Sequence, residues 1–313
     1  MMQLLAVGAQ VGALFFYVLL GFLGRQRKIL TAQGDKVISD IIFYFTMPAL
    51  TITSMNLKVS GQELTNAFLI LAAAVVLVLG SYALCALAGA WLRLPLKTNY
   101  AFRFTTAFGN VAYLGFPVAY ILWGQLGVFY AAMYALGHNV LFWTLGVWLM
   151  QDHQEHKGLD WRQILNINVL AIILGLVLAL FHFQLPPLIF RPLDGLGQAT
   201  IPLALFLVGS MLAESPIRTL AGKKIVYLIV AVRLIILPLL ALGAMFLVPG
   251  WDKNVRLLVI MEMAMPAAAI APAVARKYDG DYNLISEGVV ATTLVSLLTI
   301  PLWAWLLNYH ILT

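Results

Sequence analysis

Residues 103–117 read RFTTAFGNVAYLGFP and residues 262–272 read EMAMPAAAIAP. Each lies in the middle of a long apolar stretch and holds what a continuous helix avoids: Gly109, Gly115 and Pro117 in the first, Pro266 and Pro272 in the second. Proline removes a backbone donor and clashes with the preceding turn, so both helices are expected to break. Non-helical backbone at bilayer depth is tolerated only where it is buried in protein or lines a cavity. Two such breaks point to a central binding site, the pattern of a secondary transporter.

Pro117 and Pro272 are 155 residues apart, while Pro48 and Pro202, Pro95 and Pro249, and Gly21 and Gly175 are each 154 apart. The chain therefore reads as a duplicated unit. Pro48 and Pro202 also fall within apolar stretches, and breaks are expected there too. With 62% hydrophobic and 10% charged residues and a mean hydropathy of +0.93, the chain is far from a soluble domain, whose charged fraction is about 25%. Runs of about 20 apolar residues place ten spans near 3–24, 36–56, 64–92, 98–123, 127–150, 164–183, 194–213, 223–247, 254–276 and 282–307. The expected fold is an all-α polytopic membrane protein. A five-helix repeat (1–150) and a second (164–313) are joined by a hydrophilic linker at 151–163. Five spans per repeat invert the second copy relative to the first.

Charge tests that topology. Of 19 Lys and Arg, Lys58, Arg191, Lys253 and Arg256 fall on one face, Arg233 lies deep in a span, and the other fourteen lie on the opposite face. By the positive-inside rule the rich face is cytoplasmic and both termini are extracytoplasmic. The net charge of +6 is thus accounted for by topology and anionic lipid, and nucleic acid is not implied. The apolar N-terminus runs into Arg25, Arg27 and Lys28 without a preceding basic region, which reads as a retained first span, not a cleaved signal peptide. One cysteine, Cys85, excludes a disulfide framework or CxxC motif. Asp152, His153, Glu155 and His156 in the linker read as a solvated loop, so no metal or other cofactor is expected. Trp91, Trp148, Trp251, Trp303 and Trp305 read as interfacial anchors, and Gly8 with Gly12 fits close helix packing.

Asn110 stands seven residues before Pro117. Unwinding between them would free backbone groups and aim the positive N-terminal end of the next half-helix at the midplane, where it suits an anion. Ionisable groups in spans default to functional hypotheses. Arg233 and Glu262 have two readings: a buried pair fixing helix packing, or coupling, with Glu262 binding H⁺ or Na⁺ and Arg233 assisting it or holding a substrate carboxylate. His138 with Asn139 reads first as a hydrogen-bonded packing residue and second as a group titrating near neutral pH. Glu287 and Asp40 read as solvated carboxylates near span ends.

These residues resemble the auxin efflux carrier family, which includes the plant PIN transporters and small bacterial carriers of malate, malonate and related acids. Asn110-x-x-x-x-Gly115-x-Pro117 is similar to its first crossover motif. Met47-Pro48-Ala49-Leu50 and Ile201-Pro202-Leu203-Ala204-Leu205 are similar to its second and seventh helices, and Met265-Pro266 to Pro272 to its second crossover. The resemblance implies ten helices as in bile-acid sodium symporters, with a scaffold of helices 1, 2, 6 and 7 and a moving transport domain of helices 3–5 and 8–10. It implies substrate at the crossover of helices 4 and 9, elevator-like movement, and a homodimer through the scaffold. Asn110 matches the substrate-contacting asparagine, and Pro117 and Pro272 match the crossover prolines. Glu262 is placed similarly to a sodium-liganding glutamate of the bile-acid symporters, but Pro266 stands where a further polar ligand is expected.

The expected function is export or exchange of a small organic anion, malate- or malonate-like or an indole acid, across a plasma (inner) membrane. The substrate-binding candidates are Asn110, Gly115, Pro117, Pro266, Pro272, His138 and Asn139, with Glu262 and Arg233 as the coupling or charge pair. The alternatives are H⁺- or Na⁺-coupled uptake through Glu262 and a non-transporting sensor of the same fold. An enzyme is not expected, because His138 and the distant Glu287 make no catalytic constellation.

Overall fold

The computed structural model describes residues 16–150, 161–214, 223–248, 250–278 and 280–307. Residues 3–15 of the first span, with Gly8 and Gly12, and the linker group Asp152–His156 lie outside them. The described residues form helices joined by short connections, without a named strand. In order they are α1 (16–26), α2 (Ala32–Ile41), α3 (Met47–Met55), α4 (Gly61–Trp91), α5 (Leu96–Ala107), α6 (Gly115–Leu141), α7 (Val147–Met150), α8 (Trp161–Ile164), α9 (Ile167–Leu180), α10 (Pro187–Gln198), α11 (Thr200–Glu214), α12 (Lys224–Ala231), α13 (Leu237–Leu247), α14 (Lys253–Met263), α15 (Ala271–Lys277) and α16 (Tyr282–Leu306).

Local chemistry sets several helix starts. Thr31, Asn166, Asp252 and Asp281 each turn a side-chain oxygen to an amide of the first turn of α2, α9, α14 and α16. At α4 a capping box closes on itself, Ser60 N donating to Glu63 Oε2 at 2.7 Å and Glu63 N to Ser60 Oγ at 3.2 Å.

Among the described residues, six helical stretches are long and apolar enough to cross a membrane, and α9 is a shorter apolar helix. The ten spans read from the sequence and these six stretches differ for physical reasons. The stretches at 98–123 and 254–276 are interrupted at their centres, which leaves helices too short to count. The second half of the former continues into the fifth span as α6, through Gly124 at φ +63°, a conformation that favours glycine.

The prolines at 48 and 202 do not act alike, which corrects the expectation of two breaks. Chain 32–55 stays helical through Pro48, because Ile42–Thr46 forms a π turn and Met47 N reaches back five residues to Ile42 O. The same device precedes Pro238, where Val232–Ile236 is a π turn. Widening the helix by one residue absorbs the proline without a break. At Pro202 only Ala199, itself in right-handed helical conformation, separates α10 from α11, so 187–213 runs as one stretch and the proline falls in the first turn of α11, where its missing N–H costs little.

Contacts gather the chain into two compact units: the described parts of Met1–Ile70, Ala112–Leu136 and Leu165–Ser215, and those of Leu71–Val111, Gly137–Ile164 and Pro216–Thr313. In the first unit, helices approach at small residues. A side chain at Gly21 would overlap the carbonyl of Phe206 on α11, and one at Gly175 would strike Met55 on α3. These two glycines are the register-related pair, and each receives a helix from the other half of the chain. Asp35, also buried in this unit, pairs with Arg25 at 3.4 Å and accepts from Ser210 Oγ at 2.6 Å.

In the second unit α16 packs on α5 and α12. Gly288 lies where a Cβ would come within 2.7 Å of Thr105 Cγ2. Trp303, expected at an interface, is buried, and its Nε1 donates to Leu234 O at 2.9 Å. Pro238, four residues after Leu234, has no N–H to give to that carbonyl, and the indole supplies a donor in its place. Glu287 is held by Lys223.

Gly21→Val is expected to lower stability by about 1–3 kcal/mol, the usual cost of overpacking. Gly80, with nothing within 4 Å of its Cβ position, is the matched control: Gly80→Ala should leave the thermal midpoint in detergent unchanged. Equal midpoints for the two variants would show that α1 and α11 do not depend on this close approach.

Candidate functional site

α5 ends at Ala107 and α6 begins at Gly115, so the first break is 108–114. It opens two residues ahead of Asn110, slightly earlier than the proline and asparagine spacing suggests. α14 ends at Met263 and α15 begins at Ala271, so the second break is 264–270. Pro117 and Pro272 lie in the first turns of the helices that resume.

The two breaks hydrogen-bond to each other. Asn110 N donates to Pro266 O at 2.7 Å and Ala268 N to Phe108 O at 3.1 Å, forming an antiparallel bridge between Gly109 and Ala267. Every part of this junction is buried, Asn110 to 4% exposure. The strand-like pairing gives each interrupted segment, within the other, some of the partners it lost by leaving the helix.

A single cation closes the arrangement. Arg233, 1% exposed, donates through Nε to Met265 O at 2.7 Å and through Nη1 to Thr106 O at 3.1 Å and Ala107 O at 3.3 Å. The last carbonyls of α5 have no intrahelical donors and carry the negative end of the helix dipole. A guanidinium, planar and rich in donors, suits them. Gly109 makes the fit possible, since a Cβ there would overlap Arg233 Nη2. The π turn in which Arg233 sits fits the association of such turns with functional positions.

Two amides of the bridge are served from outside it. Gly109 N donates to His138 Nε2 at 3.1 Å and Ala267 N to Thr292 Oγ1 at 3.1 Å. Accepting a hydrogen bond at Nε2 means that this nitrogen carries no proton, and Nδ1 lies 3.4 Å from Asn139 Oδ1. The His138 ring packs edge-on to Phe108 and stacked on Phe142. Glu262, 2% exposed, keeps Oε2 buried without a hydrogen-bond partner among the described residues.

The second unit thus holds Asn110, His138, Asn139, Arg233, Glu262 and Pro266 together, while Gly115 and Pro117 belong to the first. Sequence reading did not single out Thr292. The signal was present, because 292 is His138 shifted by the 154-residue register.

A family model described as membrane transport protein matches residues 7–159 and 156–304. An uncharacterized transporter of Methanocaldococcus jannaschii is 27% identical, over 93% of this chain and 95% of its own. A putative malonate transporter of Rhizobium meliloti is 24% identical over 91% of both chains. Auxin efflux carrier component 8 of Arabidopsis thaliana is 24% identical over 47% of this chain and 41% of its own.

Arg233→Ala is expected to cost about 1–3 kcal/mol or more, because it leaves buried carbonyls of Met265, Thr106 and Ala107 without a donor, and to lower the thermal midpoint. Arg233→Lys should retain part of that stability, because an ammonium brings three donors but not the fork. A midpoint for Arg233→Ala within error of the parent would refute the capping role.

Proposed function

The chain belongs to the auxin efflux carrier family of membrane transport proteins, and from that premise we propose that it exports or exchanges a small organic anion by elevator-type alternating access. The relatives are named as transporters and not as enzymes. In this proposal the chain makes ten spans in two inverted repeats, with the two broken segments crossing at the midplane. Helices 1, 2, 6 and 7 serve as scaffold and the rest as the moving part, in a plasma-type membrane with both termini outside.

The observation that carries the proposal is the junction of two buried breaks around Asn110, with Arg233 against it as a fixed cation. Broken helices joined at their interruptions are the arrangement in which transporters hold polar ligands. Asn110 offers both a donor and an acceptor, which suits a carboxylate or an indole acid. Malonate and auxin enter as candidate substrates through the names of two relatives. An interior-negative potential of 100 mV favours exit of a monovalent anion by about 2.3 kcal/mol, so export needs no coupling ion. Assembly as a homodimer through the scaffold belongs to the same proposal.

One observation favours a second reading, H⁺- or Na⁺-coupled uptake. The buried Glu262 Oε2 lacks a hydrogen-bond partner among the described residues, and a proton or a cation would satisfy it.

The test is flux of labelled malonate, malate and indole-3-acetate in proteoliposomes, with imposed potential, Na⁺ or pH gradients. Potential-driven export, insensitive to Na⁺ and pH and retained in Glu262→Gln, is expected. Asn110→Ala should weaken the apparent affinity about tenfold with unchanged membrane insertion. Flux that follows Na⁺ or H⁺ and is abolished in Glu262→Gln would transfer the function to coupled uptake. Substrate stabilisation without any flux would leave a sensor.

A further inference from the structure

We propose that Thr292 and His138 are a matched pair of positioning residues, one for each break, and that Thr292 sets the placement of Asn110; the inference rests on the transport reading above. The two stand 154 residues apart, the spacing that relates Gly21 to Gly175 and Pro48 to Pro202. Each lies one helical segment beyond its own half's break, His138 on the part of α6 past the kink at Gly124 and Thr292 on α16, which follows α15. Each is buried and turns an acceptor to that break, His138 Nε2 to Gly109 N and Thr292 Oγ1 to Ala267 N, both at 3.1 Å.

Bridge geometry explains why both acceptors are needed. The bonds from Asn110 N to Pro266 O and from Ala268 N to Phe108 O flank Gly109 and Ala267. These two are therefore the non-hydrogen-bonded pair of an antiparallel ladder, and their own amides point outward, away from the facing strand. Neither break can satisfy the other's central amide. An N–H left alone in the protein interior is costly, so each is met by the neighbouring helix of its own half.

The two caps use different chemistry for one task. Thr292 Oγ1 donates its proton to Gly288 O at 2.7 Å, which leaves the lone pairs of the oxygen for Ala267. His138 is braced by Phe108, Phe142 and Asn139. From Thr292 the route to Asn110 is short: Ala267 is bonded to Pro266, whose carbonyl takes the Asn110 amide at 2.7 Å. Release of the Ala267 amide shifts the Pro266 carbonyl, and with it the backbone that carries the Asn110 side chain. Thr292 acts on the site only through that link.

A double-mutant cycle separates positioning from general support. The probes are malonate and indole-3-acetate, read as thermal stabilisation of the purified full-length chain. Thr292→Val, equal in shape but without the acceptor, is expected to weaken probe binding about tenfold. In an Asn110→Ala background the same change should cost less than about twofold, and Thr292→Ser should bind as the parent does. Parent-like binding by Thr292→Val, or an equal loss in both backgrounds, overturns the inference. If neither probe stabilises the parent, the substrate class proposed above is what fails. Amide exchange then decides the positioning role: Thr292→Val should speed exchange in 264–270 and 108–114 and nowhere else, and unchanged exchange there overturns it. Should Thr292→Val not fold, Thr292→Cys, of similar size and a weak acceptor, is read by the same measurements.

Discussion

The structure of the second unit depends on one constraint: an interrupted helix inside an apolar protein must find partners for the backbone groups that it no longer pairs. Arg233 meets the largest part of that demand. Its guanidinium takes carbonyls of Thr106, Ala107 and Met265, so one side chain between α12 and α13 serves the ends of both breaks. The remaining groups are met by the breaks pairing with each other and by His138 and Thr292. Gly109 follows as a requirement, because any side chain there would occupy the place of the guanidinium.

The same constraint divides the work among the charged residues in the spans. Buried ionisable groups in a membrane protein suggest pairs first, yet the hydrogen bonds that fix Arg233 at the breaks go to main-chain oxygens. Glu262 is a buried carboxyl group with Oε2 unsatisfied among the described residues. Arg233 is thereby part of the framework that holds the two breaks.

The first unit solves a different problem. Its helices are continuous or only bent, and close approach comes from glycine and from a polar cluster of Arg25, Asp35 and Ser210. Pro48 could have broken the path from α2 to α3, but the π turn before it keeps the helix whole. Proline is absorbed by a π turn at 48 and 238, falls in the first turn of a helix at 202, lies just after a true break at 117 and 272, and sits inside a helix at 192 and 301.

Much of this was legible in the sequence. Composition and the length of the apolar runs determined a helical membrane protein, because lipid admits few other structures. Residues 103–117 and 262–272 marked both breaks, since glycine and proline act through local backbone sterics. Asn110, Arg233 and Glu262 stood out because polar groups are rare in such spans. What the sequence could not determine was which partner each group takes. The guanidinium of Arg233 reaches carbonyls 127, 126 and 32 residues away along the chain, and Thr292 meets an amide 25 residues away. A carbonyl is present at every residue and leaves no mark in the sequence. Only the tertiary structure, by bringing two particular breaks together around one cation, decided which of them matter.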